Sequence, residues 1–236
     1  PWTPLHPADP KSTNGAILTV EAEQAIIATG NNGKTDYTFS APTQLSGITA
    51  VRLEMLADDR LPGKGPGRQD GNFVLGEIEL EVAPASDPKN FQRIKLNTAK
   101  ASFSQKNYEG AKAIDGKPGG PNAGWAISPQ MGNVHFASFQ VKQKLSFKGP
   151  LQLTFTLKQE FQSGQHSLGR FRLAVTNVPA PISYGLPKEV KAIFAIAKDK
   201  RTAEQKTKLS DAFKKSNPER VLLTHSLNKA NKPLPK

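Results

Sequence analysis

Ile48-Thr-Ala-Val-Arg-Leu-Glu-Met-Leu56 alternates apolar and polar side chains, and after a loop ending Gly65-Pro-Gly-Arg68 the alternation returns in Asn72-Phe-Val-Leu-Gly-Glu-Ile-Glu-Leu-Glu-Val82. The chain then repeats the theme. Leu151-Gln-Leu-Thr-Phe-Thr-Leu157 leads through a polar loop with His166 into Leu168-Gly-Arg-Phe-Arg-Leu-Ala-Val175. A period of two places Val51, Leu53 and Met55 on one face of an extended strand and Arg52 and Glu54 on the other. In the same way Ile78, Leu80 and Val82 oppose Glu77, Glu79 and Glu81, which a helix would scatter round a cylinder and a strand lines up in water. The pattern predicts an all-β, antiparallel β-sandwich or jelly roll whose loops, not its strands, hold any binding site.

Working outward, Ala16–Val20, Ala25–Thr29 and Asp36–Ser40 read as further strands, with Gly30-Asn-Asn-Gly33 as turn chemistry between two of them. The polar stretch Ala83 to Asn90 joins the two halves. Phe91–Phe103, the segment Tyr108–Gly116, the Gly/Pro loop 117–124 and Phe136–Val141 follow, and Pro179-Ala-Pro181 closes the sandwich at about residue 181. From residue 182 a basic helical tail is expected. Val190, Ile193, Phe194 and Ala197 make one narrow apolar helical face. Thr202-Ala-Glu-Gln205 has capping-box spacing for a second helix through Phe213, and Asn217-Pro218 resembles a third start.

The 236 residues are enough for one large sandwich with its own core. With no cysteine, disulfides, thiolate metal sites and a cysteine nucleophile are excluded. No run of 18 apolar residues spans a membrane. The start at Pro1 reads as a segment of something longer. The net charge is +12, but Pro187–Lys236 holds 13 Lys/Arg against five Asp/Glu, or +8, leaving +4 (19 minus 15) for the rest. The excess therefore belongs to the tail, where it attracts phosphate or sulfate without sequence preference. No helix-turn-helix, zinc-finger or aromatic RNA-binding motif accompanies it, so no specific nucleic acid is expected.

Several residues carry candidate chemistry. Asp115 in Ala113-Ile-Asp-Gly116 either helps a small calcium site or ties a tight turn; Trp125 either offers a stacking surface or fills the core. Arg68 and Arg170 each follow a glycine just before a strand, where a guanidinium forks onto a ligand or onto a carboxylate of the sandwich itself. Asn72 and His166 supply hydrogen bonds from the loops. Catalytic motifs are missing: no Gly-x-Ser-x-Gly elbow, His-Glu-x-x-His, phosphate loop or dinucleotide fingerprint is present, and His6, His135, His166 and His225 lack ligand spacing. No enzyme activity is expected of this chain.

Leu61-Pro-Gly-Lys-Gly-Pro-Gly-Arg-Gln-Asp-Gly-Asn-Phe-Val-Leu75, Ala113-Ile-Asp-Gly…Gly-Trp-Ala-Ile-Ser-Pro129 and His166-Ser-Leu-Gly-Arg-Phe-Arg-Leu173 together resemble a region of large planctomycete-type multidomain proteins. Those proteins join a c-type cytochrome domain to two domains of unknown function. The segment between the latter is galactose-binding-like, similar to factor 5/8 type C domains, and Lys200-Arg-Thr-Ala-Glu-Gln-Lys206 resembles the helical segment that follows it. The resemblance implies a carbohydrate-binding jelly roll in an exported, extracytoplasmic bacterial protein. The haem motif Cys-x-x-Cys-His is absent, so no redox role transfers, and Lys117-Pro-Gly-Gly-Pro-Asn-Ala123 is longer and richer in glycine than the resemblance leads one to expect. The expected function is binding of an acidic or sulfated extracellular polysaccharide, with no required cofactor beyond a possible structural calcium at Asp115. The competing reading is a scaffold that packs neighbouring domains of the parent protein. An exposed aromatic in a groove favours the first; a buried Trp125 and paired arginines favour the second.

Overall fold

The computed structural model describes residues 2–143, 145, 147, 149–179 and 188–216. They form two compact units, Trp2–Asn177 and the residues from Val178 onward. The first is an all-β sandwich of two antiparallel sheets. In chain order its strands are β1 (Thr3–Pro4), β2 (Ala8–Ser12), β3 (Ala16–Val20), β4 (Ile26–Gly30), β5 (Thr35–Thr43) and β6 (Ala50–Met55), then β7 (Glu77–Pro84), β8 (Gln92–Ile94), β9 (Leu96–Ala101), β10 (His135–Val141), β11 (Leu151–Gln159) and β12 (Arg170–Thr176). One sheet runs β3-β4-β12-β6-β10-β9, with β1 added beside β12; the other runs β2-β5-β11-β7-β8.

The two repeated stretches are not hairpins. β6 and β12 are neighbours in the first sheet, and β7 and β11 are neighbours in the second. Each repeat is thus an arch that starts in one sheet and ends in the other, and the two arches are neighbours in both sheets. Alternation sets the register. Val51, Leu53 and Met55 face Val175, Leu173 and Phe171 in one sheet, while Ile78, Leu80 and Val82 face Leu157, Phe155 and Leu153 in the other. All twelve are buried. A slip of one residue would turn each set to the outside, so burial fixes the pairing.

Rings from both sheets join the layers. Phe39 of β5 stacks on Phe155 at 5.7 Å and meets Phe171 of the opposite sheet at 6.1 Å, as does Tyr37. Such contacts add about 0.5–1.5 kcal/mol each to the burial of the rings.

Two expectations change in detail. The segment Tyr108–Gly116 contains a 3-10 turn over Gly110–Ile114. Glu77 and Glu81 are half-buried, and Glu79 alone of the three glutamates is exposed.

The second unit holds α1 (Lys188–Phe194) and α2 (Ala203–Ser216). Val190 and Ile193 are buried, but Phe194 is 54% exposed, with the Arg201 guanidinium 5.6 Å from its ring. The expected apolar face is correspondingly narrower, because α1 stops at Phe194 and Ala197 lies beyond it. The capping box forms in both directions. Gln205 N–H donates to Thr202 Oγ1 at 3.2 Å, and Thr202 N–H to Gln205 Oε1 at 3.0 Å. The expected start at Asn217-Pro218 and the expected boundary at 181/182 lie outside the described residues.

Candidate functional site

The loops of the two arches interleave at one end of the sandwich. Arg68 N–H donates to Ser167 O at 3.0 Å and Val74 N–H to His166 O at 2.9 Å, while Gly67 bridges Leu168. The approach at Gly67 demands a residue without Cβ, because a Cβ there would fall 1.9 Å from the Asn72 carbonyl oxygen. The residues expected to meet a ligand are therefore together in part, since Arg68, Asn72 and His166 share this end.

Most of their hydrogen-bonding capacity is taken up internally. The Arg68 guanidinium donates to the carbonyls of Asn31 (2.5 Å) and Gly30 (2.6 Å), tying the β4–β5 turn to the first arch. Arg170 pairs with Glu21 at 2.7 Å, Glu23 at 3.1 Å and Asp58 at 3.4 Å, and Arg60 closes the network at 2.6 Å from Glu21 and 2.7 Å from Asp58. The Arg60 hydrogen bonds hold the Asp58 carboxyl down to about 2. Asn72 accepts from Ile127 N–H at 3.1 Å and donates to Gln105 at 3.3 Å.

Trp125 gives no stacking surface. It is wholly buried, edge-on to Phe73 at 5.0 Å, with its indole N–H donated to Phe103 O at 3.0 Å. The ring is too large and apolar for the loop to leave in water, and its one polar atom has found a carbonyl.

His166 stays half-exposed. Its Nδ1 lies 2.7 Å from Ser163 Oγ and its ring is edge-on to Phe161 at 5.1 Å; Tyr108 also meets Phe161 edge-on, at 5.9 Å. Burial lowers the imidazole's affinity for a second proton, only partly offset by Asp70. Asp115 accepts from Lys117 N–H at 2.9 Å, the tight-turn role. Among the described residues no group of three or more His, Asp or Glu side chains is placed to hold a metal ion.

A concave site lies elsewhere, on the outer face of the five-stranded sheet. Register builds it in rungs. Asp36 of β5, Lys158 of β11 and Glu77 of β7 form one; Thr38, Thr156 and Glu79 the next; Ser40, Thr154 and Glu81 the third, extended by Arg93 of β8. Lys158 pairs with Glu79 at 3.2 Å and Arg93 with Glu81 at 3.1 Å. The segment Ile114–Gly116 rises over β7 and encloses a groove of about 400 Å³, whose lining also includes Lys95.

The wall is seated by close backbone contact. A Cβ on Gly76 would lie 1.9 Å from the Pro118 carbonyl oxygen, and Gly119 bridges Glu160. Glu77 joins sheet to wall, its Oε2 accepting from Gly116 N–H at 3.0 Å. Burial pushes the Glu77 carboxyl up to about 7; the Gly116 hydrogen bond opposes this, and Asp115 and Glu79 reinforce it. Burial likewise raises Asp36, against the attraction of Lys158.

The arrangement offers hydroxyls, carboxylates, a guanidinium and ammonium groups along one open face, and no assembled nucleophile and base. Sequence reading put Glu77, Glu79 and Glu81 on one strand face without uniting them with Thr154 and Thr156, because period two gives the face of each residue and not its neighbour across the sheet. Fold and groove together define an all-β sandwich with a recess of mixed polar and apolar lining on one sheet. No protein-family model matches the chain, and neither a curated protein nor a solved structure matches it.

Proposed function

We propose that this chain is a non-catalytic recognition module, a jelly-roll sandwich that binds an extracellular polysaccharide in the groove between β7, β8, β11 and the wall at Ile114–Gly116. The observation that carries the reading is the ladder of Thr154, Thr156, Glu77, Glu79, Glu81 and Arg93 lining a recess of about 400 Å³. Sugar hydroxyls both donate and accept, and this lining supplies acceptors and donors at strand spacing. The galactose-binding-like resemblance read from the sequence motifs implies the same reading, in an exported protein.

For this groove we favour a ligand class other than the acidic or sulfated one expected. In the lining Glu77, Glu79, Glu81 and Asp115 outnumber Arg93 and Lys95, and Lys158 beside it pairs with Glu79 at 3.2 Å, so a near balance of charge favours a neutral or amine-bearing glycan over a sulfated or uronic-acid chain. Isothermal titration against neutral, amino-sugar and sulfated polysaccharides tests this. Binding confined to the first two, weakened at least about tenfold in a Thr154→Ala/Thr156→Ala double variant, is the expected result; each lost hydrogen bond is worth about 0.5–1.5 kcal/mol. Absence of binding to all three, or binding indifferent to the double variant, overturns it.

The scaffold reading has the support set out for it from the sequence, a buried tryptophan and paired arginines, and no aromatic side chain among the described residues lines the groove. Trp125 is buried and Arg68 and Arg170 are internally bonded, so the loops that were to meet a ligand instead stabilise their own sandwich. Protection of Pro187–Lys236 from proteolysis only when neighbouring domains are present would favour it.

A further inference from the structure

The outer face of the five-stranded sheet continues past the end of the groove. Beyond the rung of Ser40, Thr154 and Glu81, register brings Pro42 of β5, Gln152 of β11 and Ala83 of β7 together, and none of these three carries a charge. On β8, Arg93 lies opposite Glu81 and is exposed, Ile94 is buried and Lys95 is exposed. Alternate residues there point outward, and Phe91, two before Arg93, falls on the same outward face. It is 51% exposed, and it is the one exposed aromatic among the described residues of the sandwich. The sheet face thus grades from the charged rung at Glu77 to an uncharged rung beside an open aromatic ring.

We propose that Phe91 is the stacking platform of the glycan site: one pyranose ring lies with its C–H face on the Phe91 ring, and the rest of the chain runs along Thr154, Thr156 and the glutamates toward Asp115. This rests on the glycan-binding reading and adds the residue that sets which sugars fit. A pyranose whose hydroxyls are all equatorial keeps its polar groups at the rim and shows C–H groups on its faces. Those C–H groups are drawn to the electron-rich face of an aromatic ring, and the contact removes apolar surface from water on both sides. A charged rung would resist such a contact because its ions would lose water; the rung of Pro42, Gln152 and Ala83 has no ion to desolvate. The rim hydroxyls stay free to meet Gln152 and Arg93. From Ala83 to Glu77 is six residues of β7, about 20 Å at the rise of a strand, so the face suits an extended oligosaccharide rather than a single sugar. The favoured ligand is a β-linked chain of glucose or N-acetylglucosamine type.

The test is isothermal titration of the full chain with cellopentaose and chitopentaose and with the matching monosaccharides, with proton spectra of the bound sugar recorded alongside. Phe91→Ala is expected to weaken binding of the pentasaccharide about tenfold, and Phe91→Trp to keep or strengthen it. In the unaltered chain the H1, H3 and H5 protons of one sugar ring should move upfield under the ring current of Phe91, and in Phe91→Ala they should not. That shift is read without any substitution, so the test stands if Phe91→Ala fails to fold. Pentasaccharide binding that is equally tight in a folded Phe91→Ala variant, with no upfield shift in the unaltered chain, overturns the platform and leaves the groove reading in place. Monosaccharide binding as tight as that of the pentasaccharide overturns the extended placement. Binding of neither pentasaccharide by the unaltered chain overturns the platform and counts against the groove reading as well.

Discussion

Trp125 shows how burial decides between two roles for one residue. Its ring is fully enclosed beside Phe73, and the indole N–H is satisfied by Phe103. Trp125→Ala is therefore expected to cost about 3–5 kcal/mol in urea unfolding, the range for deleting a buried aromatic. A loss under about 0.5 kcal/mol, typical of a surface position, would contradict that placement. Glu77 gives a second prediction at this scale. Its carboxyl holds a proton up to about 7 in the folded chain against 4.5 for the free side chain, so the folded state binds that proton more tightly than the unfolded state. The associated stability is complete below about pH 4.5 and disappears as the pH rises through about 7. A half-exposed group is screened, so the loss is about 1 kcal/mol, well below the unscreened linkage value. Glu77→Gln should abolish it and leave the variant the more stable of the two at pH 8, as read from thermal unfolding at pH 5 and pH 8.

The elements bring out what local sequence can specify. Alternation in Val51–Met55, Ile78–Val82, Leu153–Leu157 and Phe171–Val175 fixed which side chains are buried, and Thr202–Gln205 announced its own helix start. Those signals are local, so they survive without tertiary context. That β6 pairs with β12 and β7 with β11 is a long-range choice, decided by burying two apolar faces at once, and no single strand carries it. The groove inherits that invisibility, because Thr156 meets Glu79 only after β11 and β7 have paired. Arg68 and Arg170 were legible as forks, but their partners Asn31, Gly30, Glu21 and Asp58 come from distant turns. At this scale the wall is testable through Gly76. Ala at this position places a Cβ 1.9 Å from the Pro118 carbonyl and must displace the 117–120 segment. Gly76→Ala should destabilise by about 1–3 kcal/mol, the cost of overpacking, and raise exchange at Gly116. An unchanged urea midpoint would mean that the wall does not rest on Gly76.

For the chain as a whole, charge and groove are separate properties. The +8 of Pro187–Lys236 governs retention on an anionic matrix, whereas the groove's lining is acidic. Replacing Lys206, Lys208 and Lys214 with Gln should lower the salt concentration that elutes the protein from a sulfated resin, because each cation removed weakens a purely electrostatic attraction. The same change should leave glycan affinity in the groove intact. The central claim is that recognition occurs on the sheet face, not at the loop end. Backbone amide shift mapping with a bound neutral or amino-sugar oligosaccharide tests it most directly. Perturbations concentrated at Glu77–Glu81, Thr154–Thr156 and Asp115–Gly116 are the predicted result; perturbations concentrated at Arg68, Asn72 and His166 would contradict it.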